Sequence, residues 1–426
     1  MSSPTQTRRG SMARREARLA YSLLLPTVFL VLAIVLLPLV ATFWISVKPI
    51  ELGDLRPSEP VARERVIVDA ADSGQSVTIQ YRLRNSSRDQ TIHSVRLEDQ
   101  WPDGLEADSL PDPCSVSGQR LVCRWDAWPG GFRVTYEILA LIPASTADVE
   151  AWLEDTEPEM FGDADNLLTN FEFTWDNFVK VFDSDQFGTT LWITFVYTFG
   201  GTLGALIMGL FAAQLMNQTF RGRAVLRGLF LFPYVAPVIA MAFTWLVILD
   251  PFSGALNTLL VQMGAIEQPI NFFGTRATEV SVLGWTFNFP VALSMVILFE
   301  VWRYFPLAFL FILARMQSIQ TDMYEAAEID GATPLQQFWE LSLPQLIGIM
   351  SVLFLLRFIW TFNKFDDIFL LTGGNAGTRT LTVDVYEQGF ALNNLGAGAA
   401  VAVVIFLMLT VFATLYFRTL PKDEGL

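Results

Sequence analysis

Six stretches of the chain are predominantly apolar over bilayer-spanning lengths. They run near 19–47, 188–216, 228–249, 290–316, 343–371 and 394–416, each about as long as the ~20 residues a helix needs to cross a bilayer core. Between the first and second the period changes. From about 60 to 145 the segments SVTIQYRLRN (Ser76–Asn85), HSVRLED (93–99), LVCRW (121–125) and FRVTYEILALI (132–142) alternate in the manner of strands. Turn formers lie between them: Asp72-Ser73-Gly74, Pro102-Asp103-Gly104 and Pro129-Gly130-Gly131. Several short strands at this spacing predict a small β-sandwich. From 146 to 187 the chain turns acidic and loses the alternation, which predicts a connector with one short helix over TWDNFVKVF (174–182). The fold class expected is an α-helical polytopic membrane protein with six transmembrane helices and a β-sandwich-like external domain inserted after the first. The divisions are 1–47, 48–187, a core of five spans at 188–418, and a tail at 419–426.

One polar segment interrupts the apolar core. EAAEIDGATPLQQFWELSLPQL (325–346) is amphipathic, yet it lies between the fourth and fifth apolar runs. Thr321 or Asp322 can cap a first helix, Gly331 supplies a turn, and Thr333 with Pro334 next and Gln336 three on forms a capping box for a second helix. Leu341, Leu343 and Pro344 then lead back to the bilayer. The expectation is a short, rigid helical pair outside the membrane.

Composition and charge sharpen this division. Of the 426 residues, 52% are hydrophobic, above an ordinary soluble domain. Arg8, Arg9, Arg14, Arg15, Arg18, Arg221, Arg223, Arg227, Arg418 and Lys422 all fall on one side of a six-span path, and the positive-inside rule makes that side, with both termini and the polar segment, cytoplasmic. The first run outlasts a signal-peptide core and lacks a small-x-small site, so an uncleaved span is expected. The net charge of −15 is local: residues 48–187 hold 27 acids against 12 bases, and the remainder balances at 16 and 16. This sign disfavours nucleic acid. The acids of the connector match no calcium-loop spacing. Cys114 and Cys123, the only cysteines, both lie in the external segment, where an oxidising compartment favours a disulfide over two free thiols.

Glu325-Ala326-Ala327, Asp330-Gly331-Ala332, Phe338 and Leu343-Pro344 resemble the EAA loop of permease subunits in binding-protein-dependent ABC importers. Three further segments agree in order with the maltose (MalF-like) sugar permeases: LFPYVAPVIAMAFTWLVILDPFSGALNTLL (231–260), VWRYFP (301–306) and FNKFDDIFLLTGG (362–374). The resemblance covers 188–418. The 60–145 region separately resembles the immunoglobulin-like repeats of bacterial surface proteins. The permease resemblance implies that Tyr324, Glu325, Ala326, Ala327, Asp330, Gly331, Ala332, Phe338 and Pro344 form a coupling element docked on an ATPase. It further implies a second permease subunit, two ATPase subunits carrying ATP and Mg, an external solute-binding protein, an inner-membrane location, and no cofactor in this chain. No G-x-x-x-x-G-K-[ST] phosphate loop occurs here, in keeping with a chain that is not itself an enzyme.

Charges inside apolar runs are costly and mark function or pairing. Glu300, Arg303, Tyr304 and Leu307 follow i, i+3, i+4, i+7 spacing, as do Arg357, Trp360, Thr361 and Lys364. Aligned on Trp302, Pro344 and the Pro233-Tyr234 pair, the positions matching the family's sugar contacts are Tyr234, Val238, Glu300, Arg303, Tyr304, Leu307, Trp360, Thr361 and Lys364. Charges stand where the family has amides and glycine. Two readings stay open: a structural Glu300–Arg303 ion pair, or a polar and aromatic path for a di- or oligosaccharide or glucoside. A non-sugar solute such as a polyol, glycerol phosphate or compatible solute, or an ion-coupled secondary transporter, are the alternatives. Glycines 200, 201, 204 and 209 read as close helix packing. His93, the only histidine, lies in the β segment, so no Ser-His-Asp triad or metal cluster can be built on it.

Overall fold

The computed structural model describes residues 11–68, 76–88, 90–101, 105–141, 157–282 and 285–419. The chain forms two compact units, one of Val47–Asn177 with Asn393–Gly396 and one of the remainder.

The smaller unit holds two four-stranded antiparallel sheets. Its strands are β1 (Pro60–Val68), β2 (Ser76–Asn85), β3 (Ile92–Gln100), β4 (Glu106–Ser109), β5 (Cys114–Ser117), β6 (Arg120–Trp128), β7 (Arg133–Leu141) and β8 (Glu159–Ala164). One sheet runs β1-β2-β7-β4 and the other β5-β6-β3-β8. Alternation decides which side chains meet: Ile79, Tyr81 and Leu83 of β2 pack with Ile138 and Ala140 of β7 against Ile92, Leu97, Leu121 and Trp128 of the opposite sheet. Residues between them turn outward, as the period of two requires. Pro129 to Gly131 makes the expected turn between β6 and β7, with Gly131 at φ +71° and the Phe132 amide donating to the Pro129 carbonyl. Cys114 and Cys123 stand opposite each other in the β5–β6 register and are joined by a disulfide. The connector differs from the sequence expectation: β8 lies within it and pairs with β3. EMFGDA has too few apolar residues to show a strand period by itself, and its pairing comes from the free edge of β3. The expected turns at 72–74 and 102–104 fall outside the described residues.

The larger unit is helical. α1 (Ser11–Val31) passes through a π turn, Leu32–Leu36, into α2 (Leu37–Ser46). The short helix expected over 174–182 is α3 (Asp176–Phe182), followed by α4 (Phe187–Asn217), α5 (Arg223–Val235), α6 (Val238–Ile248) and α7 (Ala255–Gln262). A hairpin of β9 (Thr278–Val282) and β10 (Trp285–Phe289), unannounced by the sequence, leads to α8 (Val291–Gln317). The remaining elements are α9 (Thr321–Ile329), α10 (Pro334–Gln336), a π segment Gln337–Ser342, α11 (Leu343–Phe362), α12 (Asp366–Thr372), α13 (Leu381–Tyr386) and α14 (Leu395–Thr419).

Among the described residues five helices are long and apolar enough to span a membrane, and a sixth span exists if α5 and α6 count as one. That pair is bent by 95°. The cause is local: Pro237 has no amide to donate and holds Ala236 in an extended conformation with ψ 144°. The run at 343–371 likewise ends early, at Phe362, and restarts as α12. α4 and α8 approach through glycine, as expected. A Cβ on Gly204 would lie 2.5 Å from Val301 Cγ2, and one on Gly209 would lie 2.6 Å from Ala308 Cβ.

Candidate functional site

Where α4, α8, α11 and α12 meet, the helical unit buries a group of charges. Glu300 on α8 and Arg357 on α11 form an ion pair whose side chains are 0% and 2% exposed. Thr361, one turn beyond Arg357, accepts from its guanidinium at 3.0 Å and donates to Glu300 Oε1 at 2.9 Å. On the other carboxylate oxygen, Tyr197 of α4 donates to Oε2 at 3.2 Å. Both carboxylate oxygens of Glu300 therefore have a donor, as a buried carboxylate requires. Gly201 admits the arrangement, because a Cβ there would fall 2.7 Å from Glu300 Cγ.

Tyr304 forms the floor of a second layer. The Arg357 guanidinium lies 4.1 Å from its ring centroid, the Lys364 ammonium 4.8 Å and the Arg303 guanidinium 5.6 Å, a cation–π arrangement favoured by the ring quadrupole. Arg303 Nε also donates to the Tyr304 hydroxyl at 3.4 Å. Tyr234 meets the Tyr304 ring edge-on at 6.0 Å. Lys364 reaches Asp366 at 3.2 Å and Asp367 at 3.9 Å. Asp367 is fully buried with neither carboxylate oxygen hydrogen-bonded, and Arg303 Nη1 is a buried donor without an acceptor.

The expected set is thus divided. Tyr234, Tyr304 and Lys364 come together, while Glu300, Arg303 and Thr361 are sealed beneath them. Glu300 pairs with Arg357 and not with Arg303, which corrects the structural-pair expectation. Arg303, one turn from Glu300 on the same helix, turns to the Tyr304 hydroxyl instead. Trp360 is 51% exposed beside a buried Thr361, so it does not share their face: adjacent helical residues point about 100° apart. Val238 and Leu307 are half-buried. Tyr197 and Asp367 escaped the sequence reading. The Asp366-Asp367 pair close after Lys364 was a visible signal for one; nothing in the threonine- and glycine-rich second apolar run distinguished the other.

The polar segment between α8 and α11 is the expected helical pair with altered ends. Gln320, in an extended conformation, is the N-cap of α9, and Thr321 and Asp322 lie inside the helix as its first residues. Gly331 at φ +82° donates to the Glu328 carbonyl at 3.0 Å, and Ala332 donates to Ala327 at 2.9 Å, the paired bonds of a Schellman stop. The Thr333 amide donates to Gln336 Oε1 at 2.8 Å, and Thr333 Oγ1 accepts from the Gln336 amide at 3.4 Å, completing the capping box. A Tyr324–Ser342 hydroxyl contact at 2.8 Å ties the two arms. Glu325, Ala326, Asp330 and Pro344 are exposed, Ala327, Ala332 and Phe338 half-buried. Ile329, 86% exposed, Leu335 and Trp339 stand out on the same hairpin as uncovered apolar groups.

A multi-span helical bundle with a rigid hairpin between two spans and a buried charge cluster defines a helical membrane permease of the ABC importer type. Residues 205–422 match the binding-protein-dependent transport system inner membrane component, and the chain belongs to that family. It is 35% identical over 246 residues to the inner membrane ABC transporter permease protein YcjO of Escherichia coli, covering 57% of this chain and 79% of the relative. It is 30% identical over 243 residues to the trehalose/maltose transport system permease protein MalF of Thermococcus litoralis, covering 57% and 77%. The fold is also that of a bacterial ABC transporter involved in import of the acidic polysaccharide alginate, with TM-score 0.51, 20% identity, and coverage of 59% of this chain and 86% of that one. The protein is accordingly a multi-pass inner-membrane component of an ABC importer.

Proposed function

We propose that this chain is the permease subunit, of the MalF-like class, of an ATP-driven importer that carries a di- or oligosaccharide or glucoside delivered by an external solute-binding protein. It works beside a second permease subunit, and two ATPase subunits bind and hydrolyse ATP with Mg. The exposed, doubly capped hairpin carries the reading, because a segment stopped by Gly331 and restarted by the Thr333 box transmits rigid-body motion between an ATPase and the spans α8 and α11. Ile329, Leu335 and Trp339 supply its apolar contact with the ATPase. Both termini and this hairpin are cytoplasmic and the β unit, an immunoglobulin-like sandwich, is external.

The sugar path follows Tyr234, Tyr304 and Lys364, where the exposed ring of Tyr234 can stack on a pyranose while the Lys364 ammonium binds hydroxyls. Glu300, Arg357, Thr361 and Arg303 hold Tyr304 and the helices in position beneath it. The trehalose/maltose function of the Thermococcus relative supports a sugar. The test is uptake into proteoliposomes by the complex purified with its partner chains and binding protein, across a panel of sugars, polyols and glycerol phosphate. Uptake of a sugar that needs ATP and is weakened in Tyr234→Ala is expected. Uptake persisting without ATP would point to a secondary transporter, and uptake of glycerol phosphate or a polyol alone would overturn the sugar reading.

A further inference from the structure

We infer that the outer face of the β1-β2-β7 sheet binds an acidic, extended protein segment with Asp or Glu at alternate positions. The face carries an open groove of about 420 Å³ lined by Arg63, Arg82, Arg84 and Arg133 with Thr135. These are four of only twelve bases in a 48–187 segment that holds 27 acids, so the cluster opposes the charge of its own surroundings. The register makes it more pointed: Arg63 stands directly opposite Arg82, and Arg84 directly opposite Arg133.

Like charges in facing positions weaken a sheet, so two such pairs on adjacent strands are a cost that packing alone does not offset. Among the described residues none of the four is in an ion pair; Arg82 Nε donates only to the neutral Gln80 Oε1, at 3.1 Å. No carboxylate lines the groove. The outer face of the other sheet differs, since its groove sets Arg96 and Arg124 among Asp126 and Asp163.

The spacing selects the occupant. Facing residues on paired strands lie about 5 Å apart, and Arg82 and Arg84, two apart on β2, lie roughly 7 Å apart. An extended peptide repeats its same-face side chains at that second interval, so alternate carboxylates can each meet a guanidinium, a charge-assisted and often bidentate contact. No aromatic side chain lines the groove to stack on a sugar ring, which favours an acidic peptide over an anionic polysaccharide. This inference does not depend on the transported solute.

The experiment uses the full chain in zwitterionic nanodiscs, with a short peptide alternating Glu and Ser as probe. Oligogalacturonate of equal charge and vesicles containing anionic lipid serve as comparators. The peptide is expected to bind, to weaken as salt rises, and to bind roughly tenfold more weakly to the Arg82→Gln/Arg133→Gln variant, two exposed charge pairs having been removed. The thermal midpoint of that variant should equal or exceed that of the parent, because a repulsion is relieved. No peptide binding, unchanged affinity in the variant, tighter binding of oligogalacturonate or of anionic vesicles than of peptide, or a lowered midpoint would each overturn the proposal.

Discussion

Single residues in this chain show how a buried charge is settled by its partners. Glu300 pairs with Arg357 and also accepts from Thr361 and Tyr197, so removing one member of the ion pair leaves the other uncompensated. Glu300→Leu is expected to lower stability by about 3–5 kcal/mol, and Glu300→Leu/Arg357→Met to recover most of it; thermal unfolding in detergent checks both, and equal losses in single and double variants would contradict the pairing. In the β unit a different resolution is visible. Glu64 and the buried Asp99 flank Tyr81, whose hydroxyl donates to Asp99 at 2.7 Å. Burial first, and the charge of Asp99 second, push the Glu64 carboxyl from an ordinary 4.5 up to about 8. The folded state therefore keeps a proton that the unfolded chain releases earlier. Stability contributed by this group is full below about pH 4.5 and falls as pH rises toward 8. Protection of β1 to β3 amides against hydrogen exchange, taken relative to the intrinsic rate at each pH, should fall across that range in the parent, and Glu64→Gln should flatten the dependence. A parent profile that rises in protection with pH would have the sign wrong.

At the scale of elements, the α9–α10 hairpin is defined by its stop and its start. Gly331 occupies the left-handed region at φ +82°, which proline, fixed near −65°, cannot enter. Gly331→Pro is thus expected to leave insertion in the membrane intact but to abolish ATP-driven uptake, whereas Thr333→Ala, at a cost of about 0.5–2 kcal/mol of cap energy, should reduce coupling only partly. Transport per ATP hydrolysed, measured in the assembled complex, distinguishes them; normal coupling in Gly331→Pro would remove the hairpin from the mechanism. The α5–α6 bend is the same physics in the opposite role. There Pro237 breaks a run whose hydropathy alone reads as one straight span.

For the whole molecule, the disulfide ties the β unit to a compartment. Cys114 and Cys123 close a loop nine residues apart in sequence, and such a bridge contributes about 2–3 kcal/mol. Protein isolated from membranes under non-reducing conditions should show no alkylatable thiol by mass spectrometry, and Cys114→Ser/Cys123→Ser should unfold the β unit at lower temperature without changing the helical unit. Two free thiols in native membranes would argue against the external orientation.

Local period and capping chemistry were enough to separate a helical core from a β unit, because strand alternation, bilayer-length apolar runs and a Thr-x-x-Gln box are each encoded within a few consecutive residues. The strands over 76–85 and 133–141, the helix over Asp176–Phe182 and the Thr333 cap all follow from that short-range code. The same code separated Tyr304 and Lys364 from the surrounding apolar positions. Tertiary structure decided the rest. Arg357, 57 positions away, became the partner of Glu300, because α4 and α11 close on α8 where Gly201 leaves room. Trp360 left the cluster because the shared helical face is narrower than an i, i+3, i+4, i+7 count implies. β8 joined the sandwich because an edge strand needs backbone partners and will pair with a sequence that has little strand pattern of its own. Neutralising a buried charge or completing a sheet edge depends on which remote groups packing brings within a few ångströms, and no local period records that.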